Sequence, residues 1–222
     1  MRRDIVTSII GIVVFTVLLG LAYPLVITGV SQVAFPGNAN GQKVYVNGKL
    51  VGSKIIGQSF QRPKVTFPGG GKPKEEEGEL VTEPDPIYFQ SRPSATEGGA
   101  YNAAASTFSN RGPNDKVTEA EDAENIKAYL ELEKPYDPGL TTAQIPVDAV
   151  NTSASNLDPE ISPANARIQA HRVAAKRGLS LSAVDSLVAK YTDSRGLGFS
   201  GEPGVNVLEL NLALDRLKGA KA

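Results

Sequence analysis

Hydrophobic positions follow two regimes along the chain. Ile9 to Val30 (IIGIVVFTVLLGLAYPLVITGV) is an almost unbroken apolar run. Beyond it, apolar residues recur two apart, or three and four apart, among polar ones. No Asp, Glu, Lys or Arg occurs from Ile5 through Gln42. As a helix the apolar run spans about 33 Å, enough for a hydrocarbon core of about 30 Å. Pro24 would kink a soluble helix but is tolerated in a membrane helix with neighbours. A cleaved signal peptide has a shorter apolar region of about 7–15 residues, and SQVAFPG after Val30 offers no small-x-small cleavage site. A pilin-like helix carries an acid early in its apolar stretch, and none stands here. The pattern therefore predicts a retained membrane helix over 9–31. Arg2 and Arg3 precede it, so the positive-inside rule places residues 1–8 in the cytoplasm and residues 36–222 outside.

The outer region mixes both periodicities. Lys43–Val46, Asn47-Gly48 and Lys49–Val51 predict a hairpin, since Asn-Gly supplies the two positive φ angles of a type I′ turn; Lys54–Phe60 continues it. Residues 63–86 hold three consecutive Gly, several Pro and three consecutive Glu, and read as a solvated loop insertion. Ile87–Phe89 and Ile145–Val150 are short strand candidates. Thr118 can cap a helix reaching Glu133, with Ile126, Tyr129 and Leu130 as its apolar stripe. Ser162 and Pro163 start a further helix that Gly178 ends. Another begins at Ser180 or Ser182, with Val184, Leu187, Val188 and Tyr191 on one side. Asn206 with Glu209 marks a last helix from Val207. The expected fold class is α+β: one N-terminal transmembrane helix, then a single mixed α/β extracytoplasmic domain.

Composition narrows the chemistry. Lys and Arg number 23 against 24 Asp and Glu, which excludes a strongly basic nucleic-acid binder. With no Cys and one His, thiolate metal sites, Cys nucleophiles, disulfides and multi-His metal centres are all excluded. No metal ligand set is expected. Two glycine-rich stretches are decoys. Gly196 to Gly201 matches G-x-G-x-x-G, but it follows a helix end rather than a strand and runs into Glu202-Pro203. Gly69-Gly70-Gly71-Lys72 has Thr66 and Pro73 where a P-loop needs Gly and Ser or Thr. The phosphorylated Asp-Lys-Thr-Gly-Thr of P-type pumps is absent. His171 has no G-x-S-x-G elbow to serve, and Asp158 and Glu160 flank Pro159 in a turn before the Ser162 cap.

Hydrogen-bonding side chains are dense between Ser91 and Asn114: Arg92, Ser94, Thr96, Tyr101, Asn102, Asn110 and Asn114 among them. Such loops either contact a partner or satisfy their own turns. Gln169, Arg172 and Lys176 share one side of the Ser162 helix, as a solvated stripe or a docking face. In the membrane segment, Thr7 with Gly11 and Thr16 with Gly20 form small-residue faces suited to close helix packing.

Several stretches together resemble the C subunit of the Kdp-type potassium-transporting ATPase of bacteria. They are LAYPLVITGVSQVAFP, VNGKLVGSKIIGQSF, YFQSRPSAT with YNAAASTFSNRGPN, VDAVNTSASNLDPEISPANARIQAHRVAAKRGL, and GEPGVNVLELNLALD. The likeness covers nearly the whole chain in order; residues 63–86 stand apart from it, and Thr118–Glu133 match loosely. It implies a non-catalytic, single-span accessory subunit in the bacterial inner membrane, partnered by a channel-like potassium-translocating subunit, a P-type ATPase subunit and the lipid bilayer. The family is described as a catalytic chaperone that raises the ATP affinity of the ATPase subunit in a ternary complex, with no cofactor bound by the chain alone. The resemblance puts nucleotide contact at Gln169. The charge asymmetry puts Gln169 outside, away from cytoplasmic ATP, so an effect on ATP use would pass through the membrane helix as a coupling free energy. Within the family reading, the Arg92–Asn114 loops are expected to lock the outer domain onto the channel-like subunit. The alternatives are an anchored outer enzyme and an anchored binding or sensor domain.

Overall fold

The computed structural model describes residues 1–63, 82–106, 111–112 and 114–217, with the backbone alone at Glu75–Glu76 and Glu79–Leu80. It divides into two compact units, Met1–Ser53 and Lys54–Ala222.

The first unit is a helix and a hairpin. Arg2–Ala34 is helical throughout, long and apolar enough to cross a membrane, and extends past the predicted 9–31 at both ends. It has three parts: α1 (Arg2–Phe15), a π-helical stretch (Thr16–Ala22) and α2 (Tyr23–Ala34). None of its residues is buried within the chain. Pro24 explains the widened middle. Its ring has no N–H for the Gly20 carbonyl and crowds it. The turn before it opens instead, with the Tyr23 N–H reaching five residues back to the Leu18 carbonyl. After Phe35 comes the one-turn helix α3 (Pro36–Ala39). The Asn40 amide donates to Gln32 Oε1 at 3.0 Å and to the Pro36 carbonyl at 2.7 Å. β1 (Lys43–Val46) and β2 (Lys49–Ser53) then pair antiparallel around Asn47 and Gly48, both at positive φ. The predicted hairpin is present, ending at Ser53; Lys54–Phe60 does not continue it as a strand.

The second unit opens with a ribbon. β3 (Gln61–Pro63) is followed by β4 (Glu75–Glu76) and β5 (Glu79–Leu80), which pair with each other, and by β6 (Thr82–Pro84), which pairs back onto β3. The stretch read as an insertion thus leaves and returns through one two-stranded ribbon; most of it lies outside the described residues. Then come α4 (Lys116–Glu133), β7 (Glu160–Ile161), α5 (Pro163–Arg177), α6 (Leu181–Lys190), β8 (Thr192–Asp193), β9 (Gly204–Asn206) and α7 (Val207–Arg216). The sheet order is β7-β9-β8, antiparallel throughout.

Capping is largely as predicted. The side chains of Ser162, Ser180 and Asn206 accept from the backbone N–H three residues on, and Gly178 closes α5 at φ 65°. Three expectations are corrected. The α4 cap is Asp115 rather than Thr118, its carboxylate accepting from Val117 and Thr118 N–H at 2.9 and 3.2 Å. Ile145–Val150 is no strand: Thr142–Gln144 and Val147–Ala149 are single 3-10 turns, and the Asp148 carboxylate accepts from Ser162 N–H and the Asn165 amide. Ile87–Phe89 is also no strand: side chains take its carbonyls in place of a neighbouring chain, Arg177 at Ile87, Arg172 at Tyr88 and Asn211 at Phe89.

The main core packs Phe89, Ile161, Val173, Val184, Leu210 and Leu214 between the sheet, α5, α6 and α7. A second cluster joins Tyr129, Leu140 and Val150 beside α4.

Candidate functional site

The site builds outward from the unpaired backbone of Phe89 and Gln90. Asn211 on α7 accepts from Phe89 N–H and donates to its carbonyl, both at 2.9 Å. One residue on, Gln169 on α5 accepts from Gln90 N–H at 2.7 Å and donates to its carbonyl at 3.1 Å. Two primary amides thus replace the neighbouring strands, one on each side. Extended backbone presents successive N–H and C=O pairs in opposite directions, so consecutive residues need braces on opposite sides.

Gln169 is 1 % exposed and also donates to Asn165 Oδ1 at 2.9 Å. Three residues on, Arg172 is fully buried. Its Nε meets both Glu133 oxygens at 2.9 and 3.1 Å, Nη1 donates to the Pro86 and Tyr88 carbonyls, and Nη2 donates to Gln169 Oε1. Tyr129 closes the chain by donating to Asn165 Oδ1 at 2.8 Å. Burial raises the Glu133 pKa, opposed by Arg172. Burial first, then the Glu133 charge, raises Tyr129. The expected solvated stripe is therefore corrected: of Gln169, Arg172 and Lys176, only Lys176 is exposed. Periodicity placed them on one side of α5 but could not show that α4 and Pro86–Gln90 cover it.

Arg92, Ser94, Tyr101, Tyr129, Glu133 and Gln169 line one cleft of about 320 Å³. Arg92 pairs with Asp158 at 3.0 Å and donates to the Thr152 carbonyl at 3.2 Å. Its Nε is buried without a partner among the described residues. Ser94 donates to the Asn156 carbonyl at 2.8 Å and accepts from Tyr101 N–H at 2.9 Å. Tyr101 sits at φ 63° and donates its hydroxyl to the Arg92 carbonyl. Burial, its largest cause, pushes its pKa up to about 12. Gly57 lets this corner close: a Cβ there would lie 2.5 Å from the Asp158 carbonyl and against the Tyr101 ring. Thr96 accepts from Asn102 N–H at 2.9 Å, and Asn102 donates to the Glu97 carbonyl and caps Ala103–Ala105. Asn114 is exposed beside the α4 cap; Asn110 lies outside the described residues.

The structure thus unites Arg92, Ser94, Tyr101 and Gln169, and leaves Thr96, Asn102 and Asn114 off the cleft. It adds Asn165, Asn211 and Glu133, which sequence inspection passed over, and Arg172, which sequence inspection placed only in a stripe with Gln169 and Lys176. The amides of Asn165 and Gln169, seven and three residues before Arg172 on one helix, were the only local hint. Among the described residues no group of three His, Asp or Glu side chains could hold a metal ion. His171 is exposed on α5. The Thr7/Gly11 and Thr16/Gly20 pairs are on the exposed membrane helix, with Thr16 Cγ2 lying over Gly20.

The family model described as "K+-transporting ATPase, c chain" matches residues 5–216. A potassium-transporting ATPase KdpC subunit from Koribacter versatilis is 43% identical over 215 residues, 97% of this chain and 95% of the relative. One from Methylococcus capsulatus is 44% identical over 211 residues, covering 95% and 96%. One from Mycobacterium tuberculosis is 43% identical over 218 residues, covering 98% and 100%. The likeness therefore runs through the apolar helix, the amide-braced segment and the cleft alike, and the chain belongs to the KdpC family, the c chain of the potassium-transporting ATPase.

Proposed function

We propose that the chain is a non-catalytic accessory subunit that assembles and stabilises a potassium-uptake pump in the bacterial inner membrane. Its helix spans once with Arg2 and Arg3 in the cytoplasm, and its second unit lies outside. Its partners are the potassium-translocating subunit, the P-type ATPase subunit and surrounding lipid. Its influence on ATP use, proposed for the family, reaches the ATPase subunit as a coupling free energy rather than by contact with nucleotide. The observation that carries this last point is Gln169. The nucleotide contact expected there has no free donor or acceptor to use: Gln90, Asn165 and Arg172 take both ends of the amide. Opening it to a phosphate or a base would leave Gln90 unpaired inside the domain.

The test is purification of the tagged full chain from its host membrane. Both pump subunits should co-purify, and reporters fused after residue 45 should be active only when they function outside the cytoplasm. A chain recovered alone, or an active cytoplasmic reporter at that position, sinks the corresponding part.

A further inference from the structure

The second unit begins at Lys54, and its first residues are fastened at once. The Asn206 amide donates to the Lys54 carbonyl at 2.8 Å, and Lys54 Nζ meets Glu209 Oε1 at 2.6 Å. Gly57 N–H donates to the Leu157 carbonyl at 2.9 Å, and the Gln58 carbonyl accepts from the Ser91 hydroxyl at 3.0 Å. This strap, residues 54–58, runs along the cleft. Gly57 faces the Tyr101 ring, and Ser91 and Tyr101 line the cavity, as do Ser59 and Gln61 just beyond the strap. Asn206 is buried, and the two ends of its amide have separate partners. Oδ1 accepts from Glu209 N–H at 3.0 Å and caps α7, while Nδ2 goes to Lys54. A cap needs only the acceptor, which Ser, Thr or Asp also supplies; the donor is what selects Asn. Lys54 is 47% exposed in its ion pair, so water screens that contact and the buried amide is the firmer hold. Further along α7, Asn211 braces Phe89, the residue before Gln90 of the cleft wall, and Asp215 accepts from the Tyr88 hydroxyl. One helix therefore holds both the incoming strap and the segment that leads into the cleft.

We propose that Asn206 is a positioning residue for the coupling: it clasps the incoming chain at Lys54, so that movement of that chain reaches α7 and the cleft instead of being lost as slack. This rests on the proposed coupling between the chain and ATP use by the pump. Ser53, just before the clasp, is bonded through its hydroxyl to the Gly41 carbonyl within the first unit. The chain thus has a fixed point on each side of the Ser53–Lys54 peptide. Packed elements with fixed attachments pass on a displacement, and a slack segment absorbs it.

The test uses the full chain assembled with the other pump subunits. Asn206→Ser keeps an acceptor for Glu209 N–H but is too short to reach Lys54. Asn206→Thr does the same and fills more of the vacated space, so it serves if the Ser variant folds poorly. In either, amide exchange over residues 54–58 should run about tenfold faster, with exchange over 207–216 unchanged. Both pump subunits should still co-purify, and the apparent ATP affinity of the pump should fall toward that of pump lacking this chain. Glu209→Gln, in the screened ion pair, should move both readouts less. Parental exchange over 54–58 in the Asn206 variants would overturn the clasp. Faster exchange across α7 as well would make Asn206 a helix cap only, and a released strap with unaltered ATP affinity would remove it from the coupling. If the parental chain itself does not change the ATP affinity of the pump, the coupling reading has failed, and exchange over 54–58 still decides the clasp.

Discussion

Gln169 shows how a single side chain can look like a ligand-binding residue and act as a brace. Its amide is the mate of the Gln90 peptide group, so removing it strands a buried donor and acceptor together. Each unsatisfied group costs about 1–3 kcal/mol. Gln169→Ala in the detergent-solubilised full chain should therefore lower the unfolding midpoint by several degrees, followed by circular dichroism. An unchanged midpoint, with selective loss of any effect on ATP affinity, would instead support direct nucleotide contact. Tyr101 makes a prediction of a different kind. Its folded-state pKa of about 12 lies above the ordinary 10, because burial disfavours the phenolate. The folded state therefore holds its proton more tightly, and that contribution is complete below about pH 10 and lost as pH rises toward 12. It amounts to roughly 2–3 kcal/mol at about 1.4 kcal/mol per pKa unit. Tyr129, also raised by burial, adds in the same direction. Alkaline unfolding should coincide with the rise in phenolate absorbance, and Tyr101→Phe should flatten the fall in stability above pH 10. A phenolate signal that develops fully before the circular dichroism changes would show that Tyr101 is not held by the fold.

Elements whose signals are local were legible in the chain, and those set by distant partners were not. Ser162, Ser180 and Asn206 cap helices that their neighbours alone predict, and Asn47-Gly48 specifies its own turn. Ile87–Phe89 has strand-like residues, but its mates are side chains 84 to 122 positions away. Ile145–Val150 alternates like a strand, yet Pro146 lacks a donor and Asp148 is drawn to the start of α5. The cleft was half visible for the same reason. Arg92, Ser94, Tyr101 and Gln169 stood out by type, whereas Asn165 and Glu133 reach the cleft only through the packing of α4 against α5. Asp115 is the instructive local miss: Thr118 and Asp115 are both good caps, three residues apart. The structure separates them. Asp115→Ala should cost about 1 kcal/mol through loss of two N–H bonds and of charge at the helix N-terminus, and Thr118→Ala much less. Equal denaturant midpoints for the two variants would return the cap to Thr118.

At the scale of the whole molecule, the helix and the second unit must exchange free energy if an outer domain is to affect cytoplasmic ATP. Two devices stiffen the helix exit within the first unit: the Asn40 bonds to Gln32 and Pro36, and the Ser53 hydroxyl bonded to the Gly41 carbonyl at 2.6 Å. Beyond Ser53 the second unit begins. Upstream, the helix carries its own point of compliance, since the π stretch before Pro24 has wider and less regular hydrogen bonding than the α-helix on either side. A ligand or partner can shift an equilibrium only by its differential affinity for the two states, so the outer contacts must favour one helix arrangement over another. Inserting Gly-Ser-Gly-Ser between Ser53 and Lys54 should separate attachment from coupling. The linker adds little closure entropy, so both pump subunits should still co-purify. It transmits little orientation, so the apparent ATP affinity of the assembled pump should fall toward that of pump lacking this chain. Pump carrying the insertion, titrated with ATP beside parental pump, gives the comparison. Unaltered ATP affinity, with assembly intact, would show that the coupling does not cross the junction, and the outer unit would then serve attachment alone.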